Sequence, residues 1–197
     1  MPLQHQNTAI ELIEAATGRA VERQTPGWLL RPGRVECAGQ WALIQDIYQA
    51  LTGLSLPDEM PPRERRRVDA ILNGGSGPRI VEIDETQHFN HHRRLTLALY
   101  PDDVAVGFDK AEWMARADRE PTPRHGKWAS ARPPLFPGDG GRHRQRAFRD
   151  ALADILPPLY GYAPTLRVAD VEVEACGRSG DPIDAMWQLL AEKGISP

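Results

Sequence analysis

Apolar and polar positions alternate most sharply in Arg79-Ile80-Val81-Glu82-Ile83-Asp84, which runs on into Glu85-Thr86-Gln87-His88-Phe89. Side chains two apart on a strand point the same way, so a strand over 79–84 can bury its apolar residues while Glu82 and Asp84 share one face. A second apolar run, Arg66-Arg67-Val68-Asp69-Ala70-Ile71-Leu72, reads as another strand. The stretch Asn73-Gly74-Gly75-Ser76-Gly77-Pro78 between them is turn-forming. An antiparallel hairpin would set Asp69 beside Glu82 and Asp84.

Elsewhere the helical period dominates. Residues 8–17 read as a helix capped by Thr8, with Glu11 at capping-box spacing and Gly18 as the stop. A loop at 24–34 precedes a helix over about 35–51, where Trp41, Ile44, Tyr48 and Leu51 recur on one side. Pro57, Pro61 and Pro62 make an extended connection. Residues 90–100 fit a helix, or a strand from 95 onward. Residues 105–108 look strand-like and 109–118 helical, with Trp113 on the apolar side.

Residues 120–142 form a long irregular stretch, and about 90–142 together read as an insertion. Over 144–156 an amphipathic helix presents Ala147, Phe148, Ala151, Leu152 and Ile155, while Arg146, Arg149, Asp150 and Asp154 point away. Residues 165–174 read as a strand, whole or broken near Asp170. A last helix over 181–193 is capped by Asp181, with Pro182 in its first turn and Gly194 at its end. This order predicts one α/β domain over 1–197, a mixed sheet flanked by helices, with N-terminal helices within 1–60.

Composition narrows the function. With 41% hydrophobic residues the chain can bury a core. It has no apolar run of about eighteen residues and no charged-then-apolar leader, which predicts a cytoplasmic protein without a membrane span. Cys37 and Cys176 are far apart and fit reduced thiols. Net charge is −3, but all of the 24 basic residues except Lys110, Lys127 and Lys193 are arginine. They cluster around Arg63, Arg65, Arg66 and Arg67 and again at Arg142, Arg144, Arg146 and Arg149. Arginine forks match phosphate oxygens, so Arg67, Arg144, Arg146 and Arg149 are candidate nucleic-acid contacts. Solvated helix faces would look the same. Arg124, His125, Lys127 and Arg132 make the irregular stretch basic, either a flap over a substrate or a surface insertion, and Trp128 is its candidate base-stacking residue.

Asp69, Glu82 and Asp84 on neighbouring strands offer the hard oxygen ligands that Mg2+ or Mn2+ prefers. Asp69 and Glu82 are the leading ligands, and Asp84 is a third ligand or an orienter of the attacking water. His88 is placed to act as general base or to protonate a leaving oxygen, and Gln87 to orient water or phosphate. A rival pattern, His88 with His91 and His92, would suit zinc.

Asp69, then Glu82-x-Asp84, then Gln87-His88-Phe89 resembles the core of the PD-(D/E)xK nuclease superfamily, in the branch related to very-short-patch-repair endonucleases. Arg146-x-x-Arg149-Asp150 and the Gly161-Tyr162 to Arg167-Val168 stretch resemble later parts of that branch. Glu85 stands where the family usually has glycine, and the 90–142 connection is longer than usual. The resemblance implies a restriction-endonuclease-like fold and Mg2+-dependent hydrolysis of DNA phosphodiesters in repair, restriction or defence. A reading of another class is a catalytically inactive nuclease-fold protein that binds DNA or a partner protein. Association with a second copy stays open.

Overall fold

In the computed structural model, which describes residues 2–75, 77–119 and 129–195 with side chains from residue 6 onward, one four-stranded sheet organises the chain. Its order is β1 (Val21–Glu22), β2 (Ala70–Leu72), β3 (Arg79–Asp84) and β4 (Ala163–Ala169). β1–β2 and β2–β3 pair antiparallel, whereas β3–β4 is parallel. Gly74 (φ 96°) and Gly75 (φ 66°) give the β2–β3 turn a left-handed backbone that residues with a Cβ adopt only with strain. Helices α1 (Pro2–Thr17), α2 (Gly27–Leu30), α3 (Arg34–Cys37) and α4 (Trp41–Thr52) precede β2 in the chain. A parallel pair needs a long crossover, and α5 (His91–Ala98), α6 (Lys110–Arg119) and α7 (Gly141–Ile155) supply it. After β4 come α8 (Asp170–Gly177) and α9 (Pro182–Glu192).

The period-two alternation of the strands sorts the core into two layers. Val81, Ile83, Leu166 and Val168 pack with Ile10 and Ile13 of α1, Val173 of α8, and Met186 and Leu190 of α9. Ile71 and Ile80 pack with Ile44 and Tyr48 of α4, Leu97 of α5, Trp113 of α6 and Phe148 of α7. Glu82 and Asp84 share the parity of Ile80, so they project into the second layer. Because helices cover both faces, Ile80 through Asp84 are all buried, carboxylates included. Tyr48 locks α4 to α7, packing edge-on to Phe148 at 5.4 Å and donating its hydroxyl to the Leu135 carbonyl at 2.6 Å.

Several sequence expectations shift. The first helix starts at Pro2, where a fixed φ suits a first turn, so Thr8 is interior rather than a cap. The helix expected over 35–51 is broken, because Ala38 takes φ 43°. Of 66–72, only Ala70–Leu72 is strand. Residues 90–100 settle as helix, since the Asn90 side chain accepts the N–H groups of His92 and Arg93 at 3.0 and 3.2 Å. The 105–108 segment contributes a single bridge, Gly107 to Leu166. Of the two readings of 165–174, the break near Asp170 holds: the strand ends at Ala169, whose N–H binds the Glu172 carboxylate at 2.8 Å and opens α8, so the part beyond the break is helix rather than strand. The helix read over 109–118 is present as α6, so the 90–142 stretch carries two helices, α5 and α6. Arg124, His125, Lys127 and Trp128 lie outside the described residues. Among the described residues, no helix is long and apolar enough to cross a membrane, and both cysteines are free and buried.

Candidate active site

A polar cleft of about 220 Å³ opens where the β2–β3 hairpin meets α7, and Asp69, Glu82, Gln87, His88, Arg67, Arg146 and Arg149 all line it. Gln6, Arg66 and Asp150 line it as well. Most of the residues singled out from sequence therefore converge, although they run from Arg67 to Arg149 along the chain.

Asp69 stands one residue before β2. The register Ala70↔Val81, continued by one residue, sets it opposite Glu82. Its carboxylate takes the place of a backbone partner, with Oδ2 accepting the Ile83 N–H at 2.8 Å and Oδ1 accepting the Gln6 side-chain amide at 2.9 Å. Burial pushes this carboxyl above its ordinary range, and the Ile83 N–H only partly offsets that. Glu82 is 5% exposed and accepts a hydrogen bond from Nη2 of the equally buried Arg66. Burial pushes Glu82 up to about 8; Arg66 pulls against this, and the nearby Asp69 adds to it.

Asp84 goes elsewhere. It is fully buried, with Arg167 Nη1 2.6 Å from Oδ1 and the Trp113 indole N–H 2.6 Å from Oδ2. It does not line the cleft. Arg167, itself fully buried, also reaches Asp154 Oδ1 at 2.7 Å and the Asp150 carbonyl at 3.2 Å. Arg93 and Tyr100 close the network on Asp154 at 2.7 and 2.8 Å. Asp150 and Asp154, expected on the solvent side of their helix, are thus core residues, because two buried guanidiniums on β4 and α5 need their charge.

His88 ends a short 3-10 turn after β3 and joins the network to the cleft. Its Nδ1 lies 3.0 Å from Asp150 Oδ2 and 3.4 Å from Asp84 Oδ1. Burial opposes ionisation of Asp150, but His88 and Arg167 outweigh it and hold this carboxyl well below the usual range. Asp84, His88 and Asp150 offer ligand atoms within 4.8 Å of one another, and this group could hold a metal ion. Among the described residues it is the only cluster of three with such spacing, so the expected trio Asp69, Glu82 and Asp84 is not gathered in that way. The reason is that Arg167 and Trp113 draw Asp84 deeper along the strand. The His91 and His92 rings lie 3.8 Å apart, tilted by 43°, and among the described residues form no such group with His88.

The arginines divide. Arg67 is exposed at the cleft mouth. Burial lowers the Arg146 pKa, while Asp150 and Glu85 favour its charge. Arg149 reaches Glu64 Oε2 at 2.9 Å. Arg144 is not in the cleft; its guanidinium donates to the carbonyls of Asp139 and Pro137 at 2.8 and 2.5 Å and ties down the loop before α7. Gln87 lines the cleft and donates to Glu85. Gln6 was not foreseen, Arg66 was read only as part of an arginine cluster, and Asp150 had no assigned site role. Asp150 and Arg167 lay within the later motif stretches, and an arginine between Leu166 and Val168 in a buried strand was a readable sign of a buried acidic partner.

No protein family, curated protein or solved structure matches the chain.

Proposed function

We propose that the cleft is the active site of a metal-dependent nuclease that hydrolyses DNA phosphodiester bonds. One observation carries the reading. Carboxylates (Asp69, Glu82, Asp150), an anchored histidine (His88) and arginines (Arg66, Arg67, Arg146) line a single cleft. Phosphodiester hydrolysis needs these three chemistries together, because a doubly anionic transition state must be neutralised while a proton moves. The mixed sheet with helices on both faces supports the restriction-endonuclease-like arrangement that the motifs imply.

On this reading Arg67 and Arg146 receive the phosphate with paired N–H donors. His88 has Nδ1 fixed on Asp150, which leaves Nε2 to exchange a proton with water or the leaving oxygen. Gln87 orients the water. The donor set fits a hard divalent cation, and the observation that tests the fit is Arg66, an internal cation already seated on Glu82. Glu82 and Asp69, which face each other across the β2–β3 register, would hold Mg2+ or Mn2+, while Asp150 stays on His88. Asp84, fully buried and bound by Arg167 and Trp113, orients His88 instead. When bound, the metal polarises a phosphoryl oxygen and acidifies water.

A second reading has its own observation. Both Asp69 oxygens and the Glu82 carboxylate already have protein partners, as expected of a fold that binds DNA or a partner protein without cutting. Cleavage of supercoiled plasmid, run beside a gel-shift assay, separates the two. The nuclease reading expects Mg2+- or Mn2+-dependent nicking that falls at least about 100-fold in Asp69→Asn and Glu82→Gln with binding retained. Retarded DNA with no nicking in any metal favours the binding protein.

A further inference from the structure

Arg66 is 5% exposed, donates Nη2 to Glu82 and lines the cleft, yet its Nε has no hydrogen-bond partner among the described residues. Its backbone is fixed, since its N–H binds the Leu30 carbonyl at 2.9 Å, so only the side chain is free to exchange partners. An ion pair buried on both sides gains little net free energy, because desolvation of the two charges offsets their attraction. Removing only one partner is costly, because it strands the other charge. Such a pair is poised for substitution rather than for simple breakage.

We propose that Arg66 is a built-in counter-cation, which holds Glu82 in the metal-free protein and yields the carboxylate to a divalent cation, turning its guanidinium to a phosphate oxygen of the substrate. This rests on reading the cleft as a metal-dependent hydrolytic site. The exchange keeps every buried charge compensated. Before binding, Arg66 neutralises Glu82. Afterwards the metal does so, and the idle Nε with its neighbouring Nη supplies the two-pronged donor that phosphate accepts. Metal and phosphate then favour each other's binding, since each draws on one half of the same ion pair.

Manganese titrations followed by calorimetry and electron paramagnetic resonance test the exchange without any turnover. Arg66→Gln removes the competing cation and is expected to tighten Mn2+ binding about tenfold over wild type. Arg66→Lys keeps the charge, shortens the reach and serves if the glutamine variant folds poorly; it is expected to tighten binding about threefold. Binding equal to or weaker than wild type in the folded variant overturns the proposal. Glu82→Gln is the control. If it leaves Mn2+ binding intact, the cleft reading itself fails, whereas loss in Glu82→Gln without tightening at Arg66 sinks only the exchange.

Discussion

His88 lies between two carboxylates of unlike standing: Asp150 at 3.0 Å, shared with the cleft wall, and Asp84 at 3.4 Å, sealed beneath Trp113 and Arg167. The pair fixes the imidazole by one nitrogen, which is the service a proton-transferring histidine needs. Asp150→Asn should therefore lower the cleavage rate about 10- to 100-fold and shift the pH profile, with the Michaelis constant for DNA little changed. A fall in DNA affinity matching the fall in rate would assign Asp150 a merely structural role. Asp150 escaped sequence reading because it sits on the side of an amphipathic helix that normally faces water. Only the partner, Arg167 on the strand that follows, turns that side inward. Glu82 and Asp69 were legible because strand alternation and a glycine-rich turn are local signals, whereas Arg66 and Gln6 become neighbours of the carboxylates only through tertiary contacts.

At the scale of elements, β4 and α7 carry the site as much as β3 does. Arg167 of β4 satisfies Asp84, Asp150 and Asp154 at once. Arg167→Met should destabilise the protein by about 3–5 kcal/mol, because it leaves buried carboxylates short of a cation. Thermal or denaturant unfolding reads this out, and a loss below about 1 kcal/mol would mean that the network is water-filled rather than closed. α7 begins at a close approach, since a Cβ on Gly141 would meet the Phe136 carbonyl at 2.2 Å. Gly141→Ala should displace the loop before α7 and cost about 2 kcal/mol or more, measurable in the same unfolding experiment. The helices with clear caps or apolar stripes were readable from sequence. The segment after Asp170 was not, because Val171, Val173 and the glutamates between them alternate as a strand would. The two-residue β1 gave no signal, since its pairing depends on β2.

Across the whole molecule, titration of the cleft is linked to stability. The folded state holds the Glu82 proton up to about 8, against an ordinary value of 4.5. Between those values the folded chain binds more protons than the unfolded chain, so this group makes stability fall as pH rises. Glu82→Gln should flatten that slope, and bound Mn2+ should reverse it by taking the ionised carboxylate. Unchanged melting profiles from about pH 5 to 8 in Glu82→Gln would contradict the assignment. Asp150 acts on the acid side, where its depressed carboxyl contributes stability above the ordinary 3.8 that is lost as pH falls below it. On the proposed reading, a net charge of −3 would confine DNA contact to the arginine-lined cleft rather than spread it over the surface. The most direct measurement is the anomalous difference map of crystals soaked in manganese with a short DNA duplex. The expected peak lies in the cleft against Glu82 and Asp69, with Arg66 turned to a phosphate. Manganese absent from the cleft, while DNA lies on another face, would contradict the account.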